Sequence, residues 1–174
     1  RKPGAALPPG RKLRSMEPTR HLELLRLEGE RLASMPADAL DAPVPSLPDW
    51  TLERVVSHVG KIHRWVAAVL VAGPDADLSE AAADLPGMPK GPDCLPAYRE
   101  ALHSVLDELG RHSPDEPAAT FTGLSTARFW MRRQAHEVAV HRMDGSDAVH
   151  AAGGPEPEPF EVDGAAEGID EWAR

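Results

Sequence analysis

Residues 129–144 read F-W-M-R-R-Q-A-H-E-V-A-V-H-R-M-D, and the way this stretch is wound decides the fold. A helix turns about 100° per residue. On that period Ala127, Trp130, Gln134, Glu137 and His141 share one stripe, flanked by Met131 and Val138. The stripe is apolar at its N-terminal end and polar at its C-terminal end. It predicts an amphipathic helix capped by Ser125, running to about Met143 and ended by Gly145. Within it, His136-Glu137 imitates the start of a His-Glu-x-x-His zinc motif, but the second histidine comes one residue late, at His141. His136 and His141 are then roughly 140° apart around the axis and cannot share an ion. Glu137 and His141 are only roughly 40° apart, one turn along, and can.

Working outward, three more helices follow from periodicity. The first spans about Thr19 to Met35, with Leu22, Leu25 and Leu32 at helical spacing, and Pro36 ends it. Four prolines in 36–50 predict a long extended connection. Thr51 reads as the N-cap of a second helix that reaches about Leu70 and stops at Gly73-Pro74. A loop follows, with a short helix at Leu78–Leu85. The third helix starts at Asp93 or Leu95 and ends at Leu109; Leu95, Tyr98, Leu102, Val105 and Leu109 keep a strict 3-4-3-4 spacing before Gly110. No segment shows a convincing strand period. The expected fold is all-α, a four-helix bundle with long Pro-rich connections. The expected division is a leader or tag over 1–16, the bundle over 17–150, and over 151–174 a Gly/Pro linker with a short helix at Ala165–Trp172.

The 174 residues carry a formal net charge of −9, with 41% hydrophobic and 27% charged residues. Five of the 19 Lys and Arg lie in positions 1–15, a stretch without acids, so 14 face 28 Asp and Glu in the remainder. Such an acidic body repels phosphate backbones, which excludes nucleic acid as the expected partner. No apolar run is long enough for a membrane span, the basic start lacks a secretory core, and the single cysteine, Cys94, cannot form an internal disulfide. A cytoplasmic setting is expected, and a homodimer is left open.

The second helix offers a partner for the Glu/His pair. Val55, His58, Ile62, Trp65 and Val69 form a 3-4-3-4 stripe in which His58 stands at an apolar position, while His63 is expected to face solvent. His58, Glu137 and His141 could converge on a divalent metal and leave a coordination position open, as catalytic zinc sites do. The alternatives are a hydrogen-bonded core His58, and a Glu137 paired with Arg133.

The stretches P-D-W-T-L-E-R-V-V-S-H-V-G-K-I-H-R-W (48–65) and 129–144 together resemble the DinB/YfiT-like metal-binding superfamily, and more closely the N-terminal domain of mycothiol-dependent maleylpyruvate isomerases. The resemblance covers about residues 17–174. It implies a divalent metal, zinc, held by His58, Glu137 and His141, with mycothiol as the thiol cosubstrate. It also implies a second, α/β domain beyond the Ile169–Trp172 segment, which this chain does not contain.

The implied reaction is the isomerisation of a cis-ene-dicarboxylate by reversible thiol addition. Cys94 matches no motif of the family and is read as an inert, partly buried residue. A dicarboxylate would call for cations, and Arg64, Arg132, Arg133 and Arg142 lie near the ligand positions; each is equally well a solvated surface arginine. Gln134, one turn before Glu137, could orient a ligand or be a surface amide. Trp65 and Trp130 are expected in the core or in the wall of a pocket. Two other functions share these residues: thiol S-transfer to an electrophile, and a non-catalytic metal-binding or regulatory bundle.

Overall fold

Thr51 caps α2 (Leu52–Ala72) with its hydroxyl accepting the Arg54 N–H, and Glu53 sits in the positive first turn. The helix ends at Gly73, whose φ of 90° is open to glycine at no steric cost. This computed structural model describes residues 16–161 and 163–165; the expectations for residues 1–15 and for the Ala165–Trp172 helix beyond Ala165 lie outside that range. α2 is long and apolar enough to cross a bilayer by composition, yet its apolar face is spent on the core: Val55, Val56, Val59, Val66 and Val69 have no exposed surface.

Around α2 the bundle is built from α1 (Pro18–Ala33), α4 (Cys94–Arg111) and α5 (Ala127–Ala151), with α3 (Glu80–Ala83) a single turn in the loop before α4. Pro18 opens α1 at a position that needs no N–H donor. α1 lies along α4 and α5, and α2 along α4 and α5. The α4 stripe Leu95, Tyr98, Leu102, Val105 and Leu109 is buried throughout. The fold is the expected all-α four-helix bundle.

Four local features differ from the sequence expectations. Residues 117–126 form an antiparallel hairpin, β1 (Pro117–Thr120) and β2 (Gly123–Thr126), that feeds directly into α5. Its strands have four residues each, too few for a visible alternation, and it is pinned by Trp130, whose indole N–H donates to the Ala119 carbonyl. Second, Thr126 rather than Ser125 precedes α5, and the helix continues through Gly145 to Ala151. Gly145 is a close-packing point: a Cβ there would lie 2.7 Å from the Met35 sulfur. Third, the Pro-rich connection doubles back on itself instead of running extended. Val44 N–H donates to the Trp50 carbonyl and Leu52 N–H to the Ala42 carbonyl, with Leu40 and Val44 buried. Fourth, His63 is wholly buried and not solvent-facing. α2 is packed on several sides, so its buried arc is wide and centres on Leu52, Val56, Val59, His63, Val66 and Leu70, with His58, Ile62 and Trp65 half-buried at its edge.

Candidate metal centre

At one end of the bundle, α2 and α5 bring His58, Glu137 and His141 together. One donor atom from each lies within 4.8 Å of the others. Glu137 Oε1 is 3.4 Å from His58 Nε2 and 3.3 Å from His141 Nε2. Those separations are longer than a well-made N–H···O bond. They match the roughly 3.3 Å donor–donor edge that follows from metal–ligand bonds of about 2.0–2.1 Å in a tetrahedron. Two imidazoles and one carboxylate are donors that zinc and other borderline divalent ions accept. The residues therefore fit such an ion, and a fourth position faces open space.

The surrounding groups hold these donors in place. The His141 ring has Asp144 Oδ2 3.0 Å from its Nδ1, and Asp144 Oδ1 accepts the Ser46 hydroxyl at 2.9 Å. A carboxylate behind a histidine fixes the tautomer that turns Nε2 toward an ion. Trp50 closes the side: its ring stacks on His141 at 6.0 Å and meets His58 edge-on at 5.1 Å. The doubled-back Pro-rich connection puts Ser46 and Trp50 there. Neither they nor Asp144 stood out in the sequence. Asp144, one helical turn after His141, was the legible signal.

Electrostatics keep the carboxylate ionised. Burial alone would raise the Glu137 carboxyl, but the His141 and His58 imidazoles and the Arg133 guanidinium overcome it and hold the group well below the usual carboxylate range. Burial would lower His141; Asp144 and Glu137 outweigh it and push the imidazole up to about 9. Protons and a metal thus compete for His141, and ion binding there releases a proton.

The other singled-out residues separate. Arg133 stays at the site, its guanidinium donating to Glu137 Oε2 at 2.6 Å and leaving Oε1 to the imidazoles. Arg64 donates to the Pro86 and Gly87 carbonyls and ties α2 to a loop. Arg132 is half-buried on α5 and engaged in an interaction of its own. Arg142 is no surface arginine and no pocket residue. It is 1% exposed and donates to Glu28 on α1 and to the Glu158 carbonyl. Gln134 is buried and bonds His63, with 2.7 Å between Oε1 and Nδ1, and touches none of the three candidate ligands through a hydrogen bond. Cys94 is buried, and burial pushes its thiol up to about 11, so it supplies no thiolate at neutral pH.

Beside the three donors lies a cavity of about 340 Å³. His58, Arg133, Gln134 and Glu137 line its polar side; Ile62, Trp65, Phe121 and Trp130 line the other.

The mycothiol maleylpyruvate isomerase N-terminal domain family matches residues 13–144. Two solved structures share the architecture. One is the mycothiol-dependent maleylpyruvate isomerase with a His-to-Ala substitution, at TM-score 0.59 and 16% identity; the other is the mycothiol-dependent maleylpyruvate isomerase itself, at 0.57 and 12%. Each alignment covers 74% of this chain and 60% of that chain, so the protein spans well under two thirds of their length. At these identities the likeness is one of fold. No curated protein sequence matches. The family match takes in α1 through the ligand-bearing half of α5, and the chain belongs to the mycothiol maleylpyruvate isomerase N-terminal domain family.

Proposed function

We propose that this domain holds a divalent metal, zinc by donor type, on His58, Glu137 and His141, and activates a low-molecular-weight thiol, mycothiol, for addition to an electrophilic carbon in a reducing cytoplasm. The observation that carries the reading is the spacing of the three donor atoms, at ligand–ligand distance on two different helices beside a cavity. An ion there would lower the pKa of a thiol reaching its open position and so supply thiolate at neutral pH.

The chain's own residues do the rest. Glu137 offers one oxygen to the site while Arg133 neutralises the other. Asp144 orients the His141 ring. Trp50, Trp65 and Trp130 keep water from the sides of the site. In the isomerase reading the thiol sulfur bonds to one carbon of a cis double bond, the single bond left behind rotates, and the sulfur leaves to give the trans product. In the S-transfer reading the sulfur stays bonded and the electrophile keeps the adduct. Both begin with the same thiolate.

Elemental analysis of the purified protein and of His58→Ala tests the metal. About one ion per wild-type chain and a marked loss in the variant are expected; equal content in the two removes His58 from the set. Thiol consumption with maleylpyruvate, set against a generic electrophile, with and without chelator, then tests the chemistry. Turnover insensitive to chelator would defeat it.

A further inference from the structure

Gln134 is the least expected polar group in the cavity wall. It is 1% exposed, lines the cavity beside Glu137, and makes a single hydrogen bond among the described residues, to His63. Its direction follows from the histidine. His63 is wholly buried and its Nε2 has no partner. An unpaired buried N–H is rarer and costlier than an unpaired lone pair, so the proton sits on Nδ1 and donates to Gln134 Oε1. The Gln134 carbonyl is then occupied, and its NH2, without a protein acceptor, is turned to the cavity.

The opposite wall is Ile62, Trp65, Phe121 and Trp130. The guanidinium groups near the ligands are committed: Arg133 to Glu137, Arg64 to loop carbonyls, Arg142 to Glu28 and Glu158. A dianion entering this cavity would lose its hydration without gaining an uncommitted cation among the described residues, which costs several kcal/mol. A neutral, planar, unsaturated carbonyl compound would lose little. Its body would lie against the aromatic rings and its oxygen would accept from the amide.

We propose that Gln134, positioned by His63, is a specificity-determining hydrogen-bond donor, and that the cavity takes a neutral α,β-unsaturated carbonyl compound in preference to an ene-dicarboxylate. This rests on the thiol-addition reading and names its electrophile. It ranks S-transfer to such a compound above isomerisation of a dianion.

The test is equilibrium binding without thiol, followed by the indole N–H resonances of Trp65 and Trp130, with metal content measured on the same samples. Three probes are used: benzylideneacetone (the neutral enone), trans-β-methylstyrene (the same body without the oxygen) and maleate (a dianion). In wild type the enone is expected to bind at least tenfold tighter than maleate. In Gln134→Leu its advantage over the hydrocarbon should fall roughly tenfold, the worth of one hydrogen bond. The double variant Gln134→Leu with His63→Phe removes both partners of the buried bond, preserves packing, and should behave the same. His63→Asn, which keeps an N–H near the Nδ1 position, should retain most of the advantage. Maleate binding as tightly as the enone overturns the proposal. So does an equal loss of enone and hydrocarbon in Gln134→Leu, or no shift of either indole with any probe. Protein without metal that still prefers the enone through Gln134 would instead break the metal reading and leave this one standing.

Discussion

His141 and Arg142 are neighbours in the chain and opposites in their surroundings. Arg142 faces α1, where every charge has its counterpart. Glu28 receives Arg142 on one oxygen and Arg31 on the other, at 2.9 Å, and Glu158 accepts from both arginines through its carbonyl and its carboxylate. His141 faces α2, where donors for a metal converge and the shared oxygen of Glu137 lies 3.3–3.4 Å from two imidazole nitrogens. The first face is closed on itself and the second is built around something it does not contain. A buried polar group is thus no sign of a site in itself. Arg142, Glu28 and His63 are more deeply buried than any candidate ligand, and the ligands are distinguished by pointing acceptors at one another.

The difference can be broken most forcibly on the closed face. Glu28→Ala strands the Arg142 charge inside the bundle and should cost about 3–5 kcal/mol in denaturant unfolding. Metal content of the folded fraction should be unchanged, and a coupled loss of metal would show that the two faces are not independent.

Acid probes the seam between α2 and α5. Burial lowers His63 from 6.5 to about 4, against the hydrogen bond to Gln134. Between those values the unfolded chain binds the proton and the folded one does not, so the stabilisation is present above pH 6.5 and lost as pH falls toward 4. The loss should reach about 3 kcal/mol. His63→Phe should flatten that part of the stability–pH curve, and a wild-type curve no steeper than the variant's would contradict the burial.

On the open face the expected effects are smaller. Asp144→Asn keeps the size of the group behind His141 but weakens its hold on the ring. It should lower metal affinity by about 10–100-fold with little change in unfolding of the metal-free protein. Affinity unaltered in a competition titration would make Asp144 a bystander. Smallest of all is the effect of Cys94. With its thiol raised to about 11, alkylation at neutral pH should be negligible in the folded protein and rapid after denaturation.

The helices were legible because their apolar residues repeat at the helical period. The α4 stripe from Leu95 to Leu109 needed nothing else, and Thr51 announced the start of α2. The 3-4 spacing also put His58, Glu137 and His141 forward as a set. Facing was harder. α2 has two plausible stripes, and the one through Val56, Val59 and Val66 is the deeper, which reverses the expectation for His63. Arg142 misled because arginines are usually exposed; Glu28, its partner, lies 114 positions away. Ser46 and Trp50 belong to a Pro-rich stretch without period, whose doubling back depends on long-range hydrogen bonds. The hairpin over 117–126 was too short to announce itself.

Since α5 presents alternate residues to two different compartments, its length between Ala135 and Arg142 is constrained more tightly than its composition. A one-residue insertion there would rotate everything downstream by about 100°. It would pull His141 away from Glu137 and draw Arg142 off Glu28 in a single event. Point changes can be absorbed on one side of this partition at a time, whereas a shift of phase is felt on both.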